Sequence, residues 1–136
     1  FSADSVSNDD CLETIGRVYK EHDYLIDPHT AVAWDVAERM SSERPLLIAS
    51  TASWAKFGPD VYRGLHGIKD QAPLPENANG LSGCDLNERI SKQTGSSIPS
   101  RLEALRNRRV RFKDTLDASV PNVENALIDF VKRSDK

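Results

Sequence analysis

The chain has few of the features that would assign it quickly. It has two cysteines, and neither Cys11 nor Cys84 has a Cys or His nearby at metal-ligand spacing, which argues against a zinc site or a disulfide framework. Both read as reduced thiols in a cytoplasmic protein, and no signal-peptide pattern opens the chain. No apolar run approaches the roughly 18 residues needed to cross a bilayer. There is no excess of positive charge: the net charge is -3, so the chain has no global attraction to nucleic acid or an anionic membrane. Internal repeats and low-complexity tracts are also missing. Its one methionine is Met40, so it is expected to be a piece of something longer. What remains is 136 residues of ordinary soluble composition, enough for one moderate core.

Helix signals dominate the first half. Ser7 offers an N-cap, Asp9 and Asp10 fill a first turn where the helix dipole favours negative charge, and Cys11, Ile15, Val18 and His22 recur at helical spacing. That predicts a helix ending near Glu21. After the extended Tyr24-Leu25-Ile26, Asp27 is a good cap and Pro28 suits a first helical position. Ala33, Val36, Ala37 and Met40 mark the expected buried face of this second helix, which Ser41 to Pro45 breaks.

Leu46-Leu47-Ile48-Ala49 is a wholly apolar run between helical patterns and predicts a buried strand of a parallel sheet. The expected fold class is therefore α/β, an incomplete three-layer unit in which a short parallel strand is flanked by several helices. Thr51 to Phe57 predicts a turn or short helix, Pro59 opens a further helix that stops at Gly67, and residues 68–83 read as a loop rich in glycine and proline. Helices are expected near Asp85 to Thr94, with Gly95 as cap, and from Pro99 to Asn107. Arg109-Val110-Arg111-Phe112-Lys113 alternates in the manner of an edge strand, and Ser119 caps a last helix striped by Val123, Ala126, Leu127, Phe130 and Val131. One buried strand and one edge strand leave the sheet incomplete, which again suggests part of a larger unit. The expected organisation is an α/β part over 1–67, the loop over 68–83, and a helical tail with one edge strand over 84–136.

Two segments carry possible chemistry. Asp27-Pro28-His29-Thr30-Ala31 and Ser50-Thr51-Ala52-Ser53-Trp54-Ala55-Lys56-Phe57 lie some twenty residues apart. Taken from the pattern alone, Thr51 either caps the turn that follows or presents a hydroxyl to a crevice at the end of a strand. Lys56 is either a surface lysine or a point charge for a phosphate. His29, in the first turn of a helix, either caps and packs with Asp27 and Thr30 or contacts a ligand; nothing pairs it with a serine or cysteine nucleophile. The basic stretch Arg101, Arg106, Arg108, Arg109, Arg111 and Lys113, with Lys92 upstream, reads as a solvated face balancing nearby acids rather than a nucleic-acid site.

Together the two segments resemble the C-terminal portion of threonine synthase, a pyridoxal-phosphate enzyme of the tryptophan-synthase-like group. In that family the second motif usually reads close to S-T-A-H-P-A-K-F, so Ser53 and Trp54 stand where histidine and proline are usual. The resemblance implies conversion of O-phospho-L-homoserine and water to L-threonine and phosphate, a β,γ-replacement. It implies that Thr51, with Ser50 as neighbour, meets the cofactor's pyridine nitrogen, and that Lys56 and His29 lie near the substrate. The family's Schiff-base lysine and glycine-rich phosphate loop are absent here. No catalytic residue is therefore expected in this chain, no metal, and no activity without the rest of its own polypeptide. A non-catalytic binding or regulatory module, a paralogue with another substrate, and an interaction protein using the basic edge are the competing readings.

Overall fold

In the computed structural model, residues 3–40, 45–111, 113 and 115–134 are described. Their order is α1 (Asn8–His22), α2 (Pro28–Arg39), a 3₁₀ turn (Trp54–Lys56), α3 (Gly58–His66), α4 (Gly83–Thr94), α5 (Ser100–Glu103), a second 3₁₀ turn (Ala104–Asn107) and α6 (Val120–Ser134). The chain divides into two compact units, one running through Arg106 and the other from Asn107 onward.

Local chemistry sets most helix ends in the first unit. Ser7 accepts from the Asp10 N–H at the start of α1, and Asp27 accepts from the His29 N–H at the start of α2 with Pro28 just inside. Ser82 and Asp85 form a reciprocal capping box on α4. Gly67 and Gly95 end α3 and α4 in the left-handed region, at φ of 63° and 73°, which only glycine enters without strain.

The core runs between α1, α3 and α4. Ile15 and Val18 of α1, Val61 of α3, and Leu86 and Ile90 of α4 are all fully buried, and Ile26 closes the group from the segment before α2. α1 and α3 cross at two glycines. A Cβ on Gly16 would collide with the Gly64 carbonyl oxygen, and one on Gly64 would lie 2.7 Å from the Leu12 carbonyl oxygen. The backbones touch because neither residue has a side chain.

The α/β expectation is wrong: the described residues contain helices and no strand. Leu46 to Ala49 is neither paired nor buried. Leu46 is 55% exposed and Leu47 fully exposed. An apolar run signals surface that favours burial, but a strand also needs a neighbouring backbone for its N–H and C=O groups, and none is paired with this run among the described residues. Arg109, Val110 and Arg111 form no strand for the same reason; Phe112 lies outside the described residues.

The face assigned to α2 is also corrected. Its buried residues are Thr30 and Ala31, whereas Ala33, Val36 and Ala37 are half-buried and Met40 is exposed. α2 is tied to α1 on its other side by the bidentate pair of Arg17 and Glu38, with Trp34 Nε1 donating to Glu38 Oε1 at 2.8 Å. The predicted face instead borders an open apolar cavity of about 430 Å³ shared with Leu46 to Ala49. In the second unit, α6 has the expected stripe, but Val123, Leu127, Phe130 and Val131 are all exposed.

Candidate functional site

The N-terminus of α2 is built around one buried carboxylate. Asp27 is 1% exposed, and its Oδ1 accepts from the His29 backbone N–H at 3.0 Å and from His29 Nδ1 at 2.9 Å. Its Oδ2 accepts from the Thr30 hydroxyl at 2.5 Å. Burial pushes the Asp27 carboxyl up, but the bonds donated by Thr30 and His29 outweigh it and hold the group below its ordinary value of 3.8. Asp27 is therefore ionised at neutral pH and can only accept.

That fixes its partners. His29 must carry a proton on Nδ1, which turns Nε2 away from Asp27. The single hydroxyl proton of Thr30 goes to Asp27. Thr30 Oγ1 also lies 3.1 Å from Ser50 Oγ, which extends the contacts of Asp27 to the second segment.

The two motifs recognised in the sequence are thus brought together at two points. Thr30 meets Ser50, and the His29 ring stands edge-on to Phe57 with centroids 5.0 Å apart. Between these contacts the chain turns through Trp54–Lys56, capped by the Ser53 hydroxyl, which accepts from the Ala55 N–H at 3.4 Å. Trp54 is buried, so the tryptophan at this departure from the usual motif is a packing residue. Thr51 and Lys56 are both exposed. His29 borders the apolar cavity beside α2, while Ser50 borders a separate cavity of about 360 Å³.

Asn87 was not legible as part of this arrangement. From α4 its Nδ2 donates to the Ala55 carbonyl oxygen at 2.7 Å and so anchors the turn. Its buried Oδ1 has no hydrogen-bond donor among the described residues and is directed at Gly58, where any Cβ would collide with it. Gly58 opens α3, so that oxygen sits at the positive end of a helix dipole. The only sequence signal was a polar residue beside Leu86 on an otherwise apolar face.

Cys11 donates to the Pro28 carbonyl oxygen at 3.3 Å, and burial, followed by the charges of Asp60, Asp27 and Asp35, pushes its thiol up to about 11. Cys84 is half-buried. A thiol reagent at neutral pH is expected to modify Cys84 first and to reach Cys11 only on unfolding. Equal rates at the two, followed by peptide mapping, would contradict this. Arg106 in the basic stretch is paired with Asp85 at 3.2 Å and Glu88 at 2.8 Å. Among the described residues there is no group of three or more His, Cys, Asp or Glu able to hold a metal, and no helix long and apolar enough to cross a membrane.

Comparison with known proteins agrees with the motif resemblance over part of the chain. Threonine synthase-like 1 of Mus musculus is 46% identical over 71 residues, covering 52% of this chain and 9% of that protein. Threonine synthase of Saccharomyces cerevisiae is 33% identical over 95 residues, covering 60% of this chain and 18% of the yeast protein. Threonine synthase of Pseudomonas aeruginosa is 34% identical over 83 residues, covering 60% and 17%. The chain is thus related, over half its length or a little more, to threonine synthases and threonine synthase-like proteins, and it spans less than a fifth of their length. No family model and no solved structure matches it.

Proposed function

We propose that the chain is the C-terminal part of a threonine synthase that uses pyridoxal phosphate to convert O-phospho-L-homoserine and water to L-threonine and phosphate. The observation that carries this reading is the Asp27–Thr30–Ser50 network, which locks the two family motifs together beside Thr51. When bound, the cofactor supplies an electron sink for carbanions next to the amino group. The residues present fit one end of it. A pyridine nitrogen without a proton needs a donor, and Ser50 Oγ is already in contact with Thr30 Oγ1 at 3.1 Å. Thr51, the next residue and exposed, carries the hydroxyl that donates to the ring nitrogen.

A neutral hydroxyl there orients the ring and leaves its nitrogen largely unprotonated, which tempers its electron demand. Lys56 supplies a mobile positive charge for the substrate phosphate. His29 is held by Asp27 with Nε2 outward, where it meets the substrate. No lysine here stands in a Schiff-base context, so proton transfer at the reacting carbons belongs to the rest of the polypeptide. We assign the enzyme to the cytoplasm, in keeping with its two free thiols.

Thr51→Val in the full-length protein keeps the side-chain shape and removes the donor. It is expected to lower kcat about tenfold or more if the lost bond is worth at least about 1.4 kcal/mol in the transition state, with the protein still folded and the cofactor's visible spectrum shifted. Unchanged turnover together with an unchanged spectrum would remove Thr51 from the site.

A further inference from the structure

The turn Trp54–Lys56 and the residue after it carry two groups of the site: Lys56, and Phe57, against which the His29 ring stands. Lys56 is exposed on a flexible stem, so the region its ammonium can reach is set by the backbone it leaves. Trp54 and Ala55 are buried in the core, and the Ser53 hydroxyl caps the turn where it begins. Its far side is held by a residue from another helix.

That residue is Asn87 of α4, which is 8% exposed and donates from Nδ2 to the Ala55 carbonyl oxygen at 2.7 Å. A carbonyl only accepts, so the amide cannot turn over without setting oxygen against oxygen. Oδ1 is thereby held against Gly58, 2.4 Å from where a Cβ would stand, and glycine is the residue that leaves it room. One side chain thus clamps the backbone at Ala55 and at Gly58, with Lys56 and Phe57 between them. Oδ1 itself is buried with no donor among the described residues. Of its two polar atoms this position satisfies one, so the polarity of Asn87 serves the Ala55 bond alone.

The geometry points to Asn87 as the positioning residue for Lys56 in binding the substrate phosphate, a role that rests on the reading of Lys56 given above. Asn87 is buried and acts on the substrate only through the turn it holds. Without the Nδ2 bond the Ala55 carbonyl is free to move, and Lys56, the next residue, moves with it. The consequence falls on phosphate affinity, because a point charge binds according to where it stands.

The test uses the full-length protein. Asn87→Leu keeps the branched outline and removes the bond to Ala55, and Asn87→Ala removes it with a side chain too small to crowd Gly58. Each is expected to raise KM for O-phospho-L-homoserine and the inhibition constant of inorganic phosphate by the same several-fold factor, with kcat changed less. A merely structural role would lower the fraction of active protein, and so kcat, while leaving KM and phosphate inhibition alone. Thermal melting reports whether each variant folds. Lys56→Ala is the reference: it should raise both constants, and Asn87→Ala added to it should raise them no further. A parent without turnover, or a Lys56→Ala variant with both constants unchanged, would defeat the phosphate reading and the role of Asn87 with it. Where those two behave as expected, the role of Asn87 alone is overturned by unchanged KM in its variants, by a loss of kcat only, by effects that add to those of Lys56→Ala, or by failure of both Asn87 variants to fold.

Discussion

Gly64→Ala is expected to destabilise the first unit by about 3 kcal/mol, although alanine is the better helix former by about 1 kcal/mol. The sign is decided by what the new methyl meets. A Cβ at Gly64 would stand 2.7 Å from the Leu12 carbonyl oxygen and 2.9 Å from Ile15 Cβ. The first is backbone in the middle of α1, and the second belongs to a fully buried side chain. Neither can swing aside, so α1 and α3 must separate and expose Ile15, Val18 and Val61. Gly16→Ala should behave alike, since its Cβ runs into the Gly64 carbonyl. Gly83→Ala is the control: nothing lies within 4 Å of its Cβ position, and stability should hold or rise slightly. Urea denaturation of the three variants checks this, and a Gly64→Ala protein as stable as the parent would refute the close crossing.

Asp27→Ala is expected to cost about 3 kcal/mol, combining a lost helix cap of about 1 kcal/mol with the lost charged acceptor of the Thr30 hydroxyl at about 1.5–3 kcal/mol. Asp27→Asn keeps the shape and separates charge from packing. The pH dependence has a definite sign. Because the folded carboxyl is held below its ordinary value of 3.8, its contribution is complete above that value and is lost as the pH falls through the lower, folded one. Between those two values the parent should lose stability with acid more steeply than Asp27→Asn. Parallel curves for the two proteins would mean that Asp27 carries no charge-dependent bonds.

Capping chemistry was legible in the sequence because each signal is local. Ser7, the Asp27-Pro28 pair, Gly67 and Gly95 all end or begin helices where their residue types require it. The strand at Leu46 to Ala49 was misread because hydrophobicity along the chain reports a demand for burial and says nothing of a pairing partner. The wrong face of α2 has a related origin. Ala33, Val36, Ala37 and Met40 make a good apolar stripe, yet α1 takes the side that offers Ala31 and the Trp34–Glu38–Arg17 contacts. At the site, the two motifs could be found by their residues, but the Thr30–Ser50 contact spans twenty positions and is set by how the chain returns to α2. Neither that contact nor the burial of Asp27 is written in residue spacing.

Product analysis of the full-length protein, incubated with O-phospho-L-homoserine and pyridoxal phosphate, tests the central claim most directly. The account predicts L-threonine and phosphate released in equal amounts, with visible cofactor absorbance in the purified protein, and neither product from the present chain alone. Cofactor-free full-length protein that leaves O-phospho-L-homoserine intact would contradict it.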